Sequence, residues 1–330
     1  MAKIEINETG MLINIKNKEV RTPCIIDVND KELNLIKSQL RSNGINNYKI
    51  LTPPSNIRIN NISFNYRKDP IDNRDYKLKT ILKESSSKND ILKSSYEIDY
   101  TNEMSPVKNQ GHLGSCVAFA VVSVKEWQEQ KEHLLEIKQG KKYKRKEKHF
   151  DYSEQWLYYK SKEIDCWPNE EGTSIRYALK VLQKQGVPTE NAWEYNPSIK
   201  GKPKFWAKLI SRWALAGKYF RINTPEELCD ALRIYGPIPI GVLCFDEIFN
   251  VGNNGIVSYP RNPNDYIGGH AICITGFTND NLFKFKNSWG VNWGENGYGY
   301  LSYKYIKDFM LDAWVVEDIN VKTDLLRDNM

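Results

Sequence analysis

A loop with two glycines leads directly into an apolar segment in the first half of this 330-residue chain. In the loop QGHLGS, Gly111 and Gly114 allow backbone angles that other residues avoid. Ser115 is a favourable N-cap, and Cys116 begins the apolar run CVAFAVV, which predicts a buried helix that continues towards residue 137. A thiol at this end of a helix has a lowered pKa that favours the nucleophilic thiolate. The alternative for a lone cysteine is a small buried core residue.

Two later segments supply the partners that a nucleophilic cysteine needs. His270 enters the apolar, β-branched run GGHAICITGF, a pattern that predicts a strand. A second predicted strand, Leu282–Lys286, is followed directly by Asn287. A thiol nucleophile needs a base, and the base needs a group that orients it, so these residue types can fill all three roles. Gln110, six residues before the cysteine, can donate its side-chain amide to an oxyanion beside the sulfur.

The motifs QGxxGSC, GGHA and NSWGxxWGExGYG, in this order, resemble those of the papain family of cysteine peptidases. The resemblance covers about residues 96–320 and implies an α+β fold of two lobes with the active-site cleft between them. A mostly helical lobe would carry the cysteine, and a lobe built on an antiparallel β-barrel would carry the histidine and the asparagine. The implied nucleophile, general base, orienting amide and oxyanion donor are Cys116, His270, Asn287 and Gln110. We expect no cofactor and no metal ion.

The same resemblance implies that three further residues contact the substrate, which we expect to be a peptide or a protein. The backbone of Gly172 would bond to the substrate backbone in an antiparallel fashion. Trp289 would shield the hydrogen bond between the histidine and the asparagine from water. Gly269, beside the histidine, offers no charge to a specificity pocket, so we expect no strong preference for basic side chains.

Residues 1–54 predict a small N-terminal β-α-β unit. The segments Cys24–Val28 and Tyr48–Leu51 are strand-like. Between them, apolar residues recur at helical spacing at Leu33, Ile36 and Leu40. The unit is small for an independent domain.

Residues 55–95 predict a pro-segment or linker before the catalytic domain at residues 96–320, and residues 321–330 predict a C-terminal tail. The stretch at residues 66–76 resembles the short pre-catalytic segment of a bacterial branch of the papain family. One interpretation is that this N-terminal segment lies across the cleft as an inhibitor and blocks Cys116 until it is cut. The other is a plain N-terminal extension, and the two have equal weight.

Composition and charge restrict the remaining classes of protein. No apolar run approaches the ~20 residues of a membrane span, and the first residues lack a signal core. We therefore expect a cytoplasmic protein without a membrane partner. Leu113 stands where secreted papain relatives carry a disulfide cysteine, which also favours a reducing compartment. The net charge of +6 is modest, and the basic run at residues 138–148 is typical of a solvated loop, so we expect no nucleic-acid partner.

These patterns leave three functions open. The leading hypothesis is a cysteine endopeptidase that is made as a self-inhibited precursor, a zymogen. A second hypothesis is a papain-like interaction or scaffold module that docks through its N-terminal unit and turns over little substrate. In a third hypothesis the same acyl-enzyme intermediate forms, but an amine attacks it instead of water, which would make the protein a transpeptidase.

Overall fold

The computed structural model of this protein describes residues 2–6, 12–15, 18–21, 24–28, 48–51, 58–59, 62–80, 97–140, 150–167, 169–198, 201–203 and 205–318. The first seven strands are β1 (Ala2–Ile6), β2 (Leu12–Ile15), β3 (Lys18–Arg21), β4 (Cys24–Val28), β5 (Tyr48–Leu51), β6 (Arg58–Ile59) and β7 (Ile62–Ser63). β2 pairs with β3 and β6 pairs with β7, both antiparallel.

The N-terminal sheet has the strand order β4-β1-β5. Ile4 of β1 lies opposite Ile26 on one side and Ile50 on the other, and both pairings are antiparallel. The two strands predicted for the β-α-β unit are therefore present, but the first strand of the chain lies between them. The helix predicted between them lies outside the described residues, and the predicted domain boundaries stay a prediction.

The helices after residue 96 are α1 (Cys116–Lys138), α2 (Glu154–Ile164), α3 (Ile175–Gln185), α4 (Phe205–Ile210), α5 (Pro225–Tyr235) and α6 (Tyr303–Phe309). Short 3₁₀ turns occur at Thr101–Glu103, Glu190–Ala192, Ser211–Trp213 and Asp246–Phe249. The structure confirms the predicted start of α1. Residues 116–128 are all buried, because the apolar run CVAFAVVSV covers the whole circumference of the first half of the helix. α1 packs against α2, α3 and the main sheet.

The remaining strands form the main sheet: β8 (Ile98–Asp99), β9 (Ala216–Ile222), β10 (Ile238–Cys244), β11 (Gly268–Phe277), β12 (Leu282–Lys286), β13 (Tyr298–Ser302) and β14 (Met310–Asp318). Their order is β13-β12-β11-β10-β14-β9, with β8 paired to β11. All pairings are antiparallel. The expected helical part and antiparallel part are present. The barrel is not closed, because within the described ranges the outer strands β13 and β9 pair with β12 and β14 and not with each other.

Residues 62–80 run in an extended path over both parts of the catalytic region. Asn65 forms an isolated bridge with Gly269 of β11, and Lys77 forms another with Arg221 of β9. Between these points, the backbone N–H of Arg67 donates to Thr173 just before α3. This segment therefore contacts the helical part and the sheet at once, which places it at the candidate site.

Candidate active site

The structure brings His270 and Asn287 together on adjacent strands. His270 lies in β11, Asn287 directly follows β12, and these strands pair with Cys273 opposite Lys286. His270 Nε2 lies 2.9 Å from Asn287 Oδ1. The other ring nitrogen, Nδ1, is buried and has no hydrogen-bond partner among the described residues. The imidazole is therefore oriented through one nitrogen, and the second is available to exchange a proton.

Trp289 covers the side chains of the histidine and the asparagine. Its ring stacks on His270 with centroids 4.6 Å apart and an interplanar angle of 30°. His270 is completely buried, and Trp289 is nearly so. The indole excludes water from the His270–Asn287 hydrogen bond, which makes that bond electrostatically stronger. The role of Trp289 as a shield against water stays a prediction, and it depends on this stacking.

Cys116 is the first residue of α1 and is completely buried. Burial raises the pKa of its thiol to about 11, while the backbone N–H groups of Ala271, Val117 and Cys116 itself have smaller, lowering effects. The Ala271 interaction places the sulfur beside β11, one residue from His270. Burial lowers the pKa of His270 to about 4. In this conformation burial therefore disfavours the thiolate that is expected at the start of a helix.

The side-chain amide of Gln110 is held in one orientation. Its Oε1 accepts from the Ser288 hydroxyl at 2.6 Å, and its Nε2 donates to the Leu113 carbonyl at 3.0 Å. The backbone N–H of Gln110 also donates to the Ser288 carbonyl at 2.9 Å. Ser288 thus ties Gln110 to the strand end that carries Asn287. One hydrogen of the Gln110 amide remains for a ligand, because the amide nitrogen carries two.

Tyr195 holds the loop that precedes the cysteine, a role that the sequence did not indicate. Its hydroxyl donates to the Gln110 carbonyl at 2.7 Å and lies 2.6 Å from Ser115 Oγ. Its ring packs edge-on against Phe119 with centroids 4.8 Å apart. Ser115 occupies the N-cap position as predicted, but its side chain makes no capping hydrogen bond. Sequence reasoning missed this role because Tyr195 stands in a stretch rich in Trp and Tyr, where large aromatic residues usually pack in the core.

Gly172 and Gly269 lie against residues 62–80. Gly172 has a φ of +83°, and a Cβ there would lie 1.7 Å from the Asn65 carbonyl oxygen. The Gly172 N–H donates to the Tyr158 hydroxyl at 3.3 Å, and the Gly172 carbonyl accepts from Lys162 Nζ at 2.9 Å. The carbonyl that accepts from the segment is that of Thr173. The Gly269 carbonyl accepts from the Tyr66 N–H at 2.9 Å.

The side chains of the same segment cover the catalytic residues. Phe64 packs edge-on against Trp289 and His270, with ring centroids 5.6 and 6.1 Å away. Asn65 Nδ2 donates to Glu171 Oε2 at 3.3 Å. Phe64 therefore contributes to the burial of His270 in this conformation.

The carboxylates that lie close enough together to share a metal ion, within the described ranges, are Glu129, Glu132 and Asp318. Glu129 and Glu132 lie about 20 and about 24 Å along α1 from Cys116, at 1.5 Å per residue, and Asp318 lies in β14. Lys125 Nζ lies 2.7 Å from Glu129 Oε1 and 3.1 Å from Asp318 Oδ1 and supplies positive charge to this group. In the part of the chain that the structure describes, no helix has the length and apolarity to cross a membrane.

The sequence is similar to those of known cysteine proteases. The model of the papain family cysteine proteases matches residues 94–313. The chain is 33% identical over 227 residues to an uncharacterized peptidase C1-like protein of Acanthamoeba polyphaga mimivirus, which covers 64% of this chain and 69% of that protein. It is 30% identical over 204 residues to a viral cathepsin of Antheraea pernyi nuclear polyhedrosis virus, which covers 60% of this chain. The match spans 55% of that cathepsin, about half its length.

Among solved structures, the chain is similar to xylellain, a cysteine protease from Xylella fastidiosa. The TM-score is 0.66 at 24% sequence identity, and the alignment covers 80% of this chain and 99% of that chain. This likeness concerns the fold, and it confirms the α+β papain-like class that the motifs predicted.

Proposed function

The chain belongs to the papain family of cysteine proteases, and we propose that it hydrolyses peptide bonds through Cys116, His270, Asn287 and Gln110 and is made as a self-inhibited precursor. The observation that carries the catalytic part is the 2.9 Å contact between His270 Nε2 and Asn287 Oδ1. It leaves Nδ1 as the ring nitrogen that can serve the nearby thiol. Peptides and proteins are the proposed substrates, and cleavage within the chain is the proposed mode.

The reaction begins when His270 Nδ1 takes the thiol proton and the sulfur of Cys116 attacks the carbonyl carbon. The resulting oxyanion accepts hydrogen bonds from the Cys116 N–H and from the remaining Gln110 amide hydrogen, each worth about 3 kcal/mol. The C–N bond then breaks, and the imidazolium gives its proton to the leaving amine. Water, deprotonated by the same imidazole, hydrolyses the thioester and restores the thiol.

The contacts of residues 64–67 support self-inhibition. Tyr66 and Arg67 donate their backbone N–H groups to Gly269 and Thr173, which an extended substrate in the cleft would need as acceptors. Phe64 packs edge-on against Trp289, with ring centroids 5.6 Å apart. With a pKa of about 11, only about one thiol in ten thousand is ionised at neutral pH. Departure of the segment would hydrate the thiol and the imidazole and permit the reactive ion pair.

The test compares the intact masses of the full-length wild type and Cys116→Ala over time under reducing conditions. Wild type is expected to lose the N-terminal segment and then cleave a peptide library, whereas Cys116→Ala does neither. Cys229→Ala, which removes a partly buried cysteine on α5, is the matched control and should process normally.

Three outcomes would contradict parts of the proposal. Activity in Cys116→Ala would refute the assigned nucleophile. If the wild type cleaves the peptide library while it keeps its full length, the proposal of a self-inhibited precursor is refuted, but the proposed peptide-bond hydrolysis is not. Ligated products of increased mass would identify a transpeptidase rather than a hydrolase.

A further inference from the structure

Tyr66 inserts its side chain into a pocket beside the catalytic histidine. Its backbone N–H donates to Gly269, the residue before His270, at 2.9 Å. Its hydroxyl donates to Asp312 Oδ2 at 2.8 Å. Only 6% of the residue is exposed, so the ring is enclosed along its length. The pocket therefore begins at the reactive centre and ends at a carboxylate.

Two glycines on paired strands make room for the ring. A Cβ on Gly241 of β10 would lie 2.2 Å from the Tyr66 ring atoms Cε1 and Cζ. A Cβ on Gly269 of β11 would lie 3.1 Å from the Tyr66 Cβ. Since contacts below 3.0 Å essentially never occur for a real Cβ, a side chain at position 241 would close the pocket. The width of the pocket thus comes from the catalytic region and not from the segment.

The end of the pocket is a buried ion pair that belongs to the catalytic region. Asp312 of β14 accepts from Arg221 Nη1 of β9 at 2.7 Å. The Arg221 guanidinium lies over the Trp314 ring, 4.7 Å from its centroid. The arginine neutralises the carboxylate, so a cationic side chain gains little there. Asp312 Oδ2 faces the pocket. The side chain that suits the pocket is therefore a flat ring that carries a neutral hydrogen-bond donor at its far end.

Two of the other contacts at this end come from the segment and leave with it. The Asp69 N–H donates to Asp312 Oδ2 at 2.7 Å, and Asp75 Oδ2 accepts from Arg221 Nε at 3.2 Å. Burial, and next the charge of Asp69, raise the pKa of Asp312 to about 7. Without the segment, the charge of Asp69 is gone, and Asp312 Oδ2 is left with two fewer donors. An incoming phenol would restore one of them.

On the basis of the function proposed above, we propose that this pocket binds a tyrosine side chain of the substrate and that Asp312, oriented by Arg221, is its specificity-determining residue. Tyr66 is then an internal occupant that satisfies the pocket while the chain is latent. Phenylalanine fits the same walls but leaves the carboxylate oxygen without its donor. Arginine and lysine are disfavoured, because the guanidinium of Arg221 already lies at the end of the pocket.

The test uses full-length Tyr66→Ala/Asp69→Ala and peptidyl fluoromethyl ketones as probes. The first substitution vacates the pocket, and the second removes the Asp69 carboxylate that holds the segment on Ser174 and Arg176. In these probes the Cys116 sulfur displaces fluoride, so a new S–C bond forms as the C–F bond breaks. The peptide part of each probe is three alanines, and Tyr, Phe or Arg replaces one alanine at a time at each of the three positions. At the position that fills the pocket, we expect Tyr to react about 10- to 100-fold faster than Phe, the range for a hydrogen bond to a charged group. Arg is expected to react more slowly than Phe.

Two variants made in the same Tyr66→Ala/Asp69→Ala background locate the effect. Asp312→Asn should reduce the ratio of the Tyr rate to the Phe rate to below about threefold, because the acceptor loses its charge. Gly241→Ala should slow the reaction of both aromatic probes relative to the all-alanine probe, because its methyl group narrows the pocket. This variant keeps the Asp312–Arg221 ion pair, so it still tests the pocket if Asp312→Asn fails to fold.

The outcomes separate the two proposals. Equal rates for Tyr and Phe at all positions would overturn the tyrosine pocket while labelling still supports the catalytic cysteine. If the Arg probe reacts faster than the Tyr probe, the claim that Arg221 neutralises Asp312 and so excludes cationic side chains is overturned. Failure of every probe to modify Cys116 would overturn the proposed function itself.

Discussion

Replacement of Asp69 by alanine tests how residues 62–80 are held on the catalytic region. The Asp69 carboxylate accepts from the backbone N–H of Arg176 in the first turn of α3 at 3.1 Å and from the Ser174 hydroxyl. Ser174 stands at the N-cap position of α3, but its own side chain makes no capping hydrogen bond. The segment therefore supplies the cap for a helix of the catalytic region, through one buried side chain.

The magnitude follows from these two contacts. Loss of a helix cap costs about 1 kcal/mol. Hydrogen bonds to a charged group contribute about 1.5–3 kcal/mol. The negative charge of neighbouring Asp312 repels Asp69 and offsets part of this stabilisation. We therefore take about 2–3 kcal/mol for the two hydrogen bonds of Asp69 together. At 1.4 kcal/mol for each factor of ten, the open fraction of the segment should rise roughly 30- to 150-fold.

The assay is the alkylation rate of Cys116 by iodoacetamide in full-length protein at neutral pH, followed by peptide mass. Asp69→Ala should raise this rate by the same factor, because alkylation requires the open state. Asp72→Asn is the matched control in the same segment. Its carboxylate bonds to the half-exposed Arg74 two residues away, so less than about a twofold change is expected.

Cys273, buried in β11, distinguishes release of the segment from unfolding. Release should expose Cys116 alone, whereas unfolding would also expose Cys273. If Asp69→Ala alkylates Cys116 at the wild-type rate, then either Asp69 does not hold the segment or the segment does not limit access to the thiol. Either result would refute the reasoning.

Two further predictions concern the catalytic groups. In the latent wild type, the ultraviolet absorbance of the Cys116 thiolate, taken as the difference from Cys116→Ala, should be absent at neutral pH and appear only as the pH approaches about 11, because burial raises the pKa of the thiol to about 11. A thiolate signal already present at neutral pH would instead reveal a preformed ion pair, in which Cys116 is ionised and His270 is protonated. In the processed enzyme, Asn287→Ala should lower kcat by about 10- to 100-fold with little change in KM, since the base loses its orientation. The exposed Asn292→Ala on the same loop is the control, and equal activities of the two variants would contradict the orienting role.

Much of the local structure followed from the sequence. The predicted strands at His270 and before Asn287 match β11 and β12, and α1 begins at Cys116. Here glycines, apolar runs and turn residues act within a few positions of one another, so short-range patterns are sufficient. The assignment of Cys116, His270, Asn287 and Gln110 as the catalytic group stays a prediction, and it rests on motifs that are specific in order and spacing.

The sequence by itself therefore determined the family, the local elements and the residue types that meet at the site. Only the tertiary structure decided which residues meet across long separations. Tyr66 and Asp312 are 246 positions apart, and neither belongs to a motif. The tertiary structure also reversed the expected pKa of Cys116, because burial depends on what the rest of the chain places over the thiol. A helix dipole is a local property, whereas desolvation belongs to the packed molecule, and in this conformation desolvation is the larger effect.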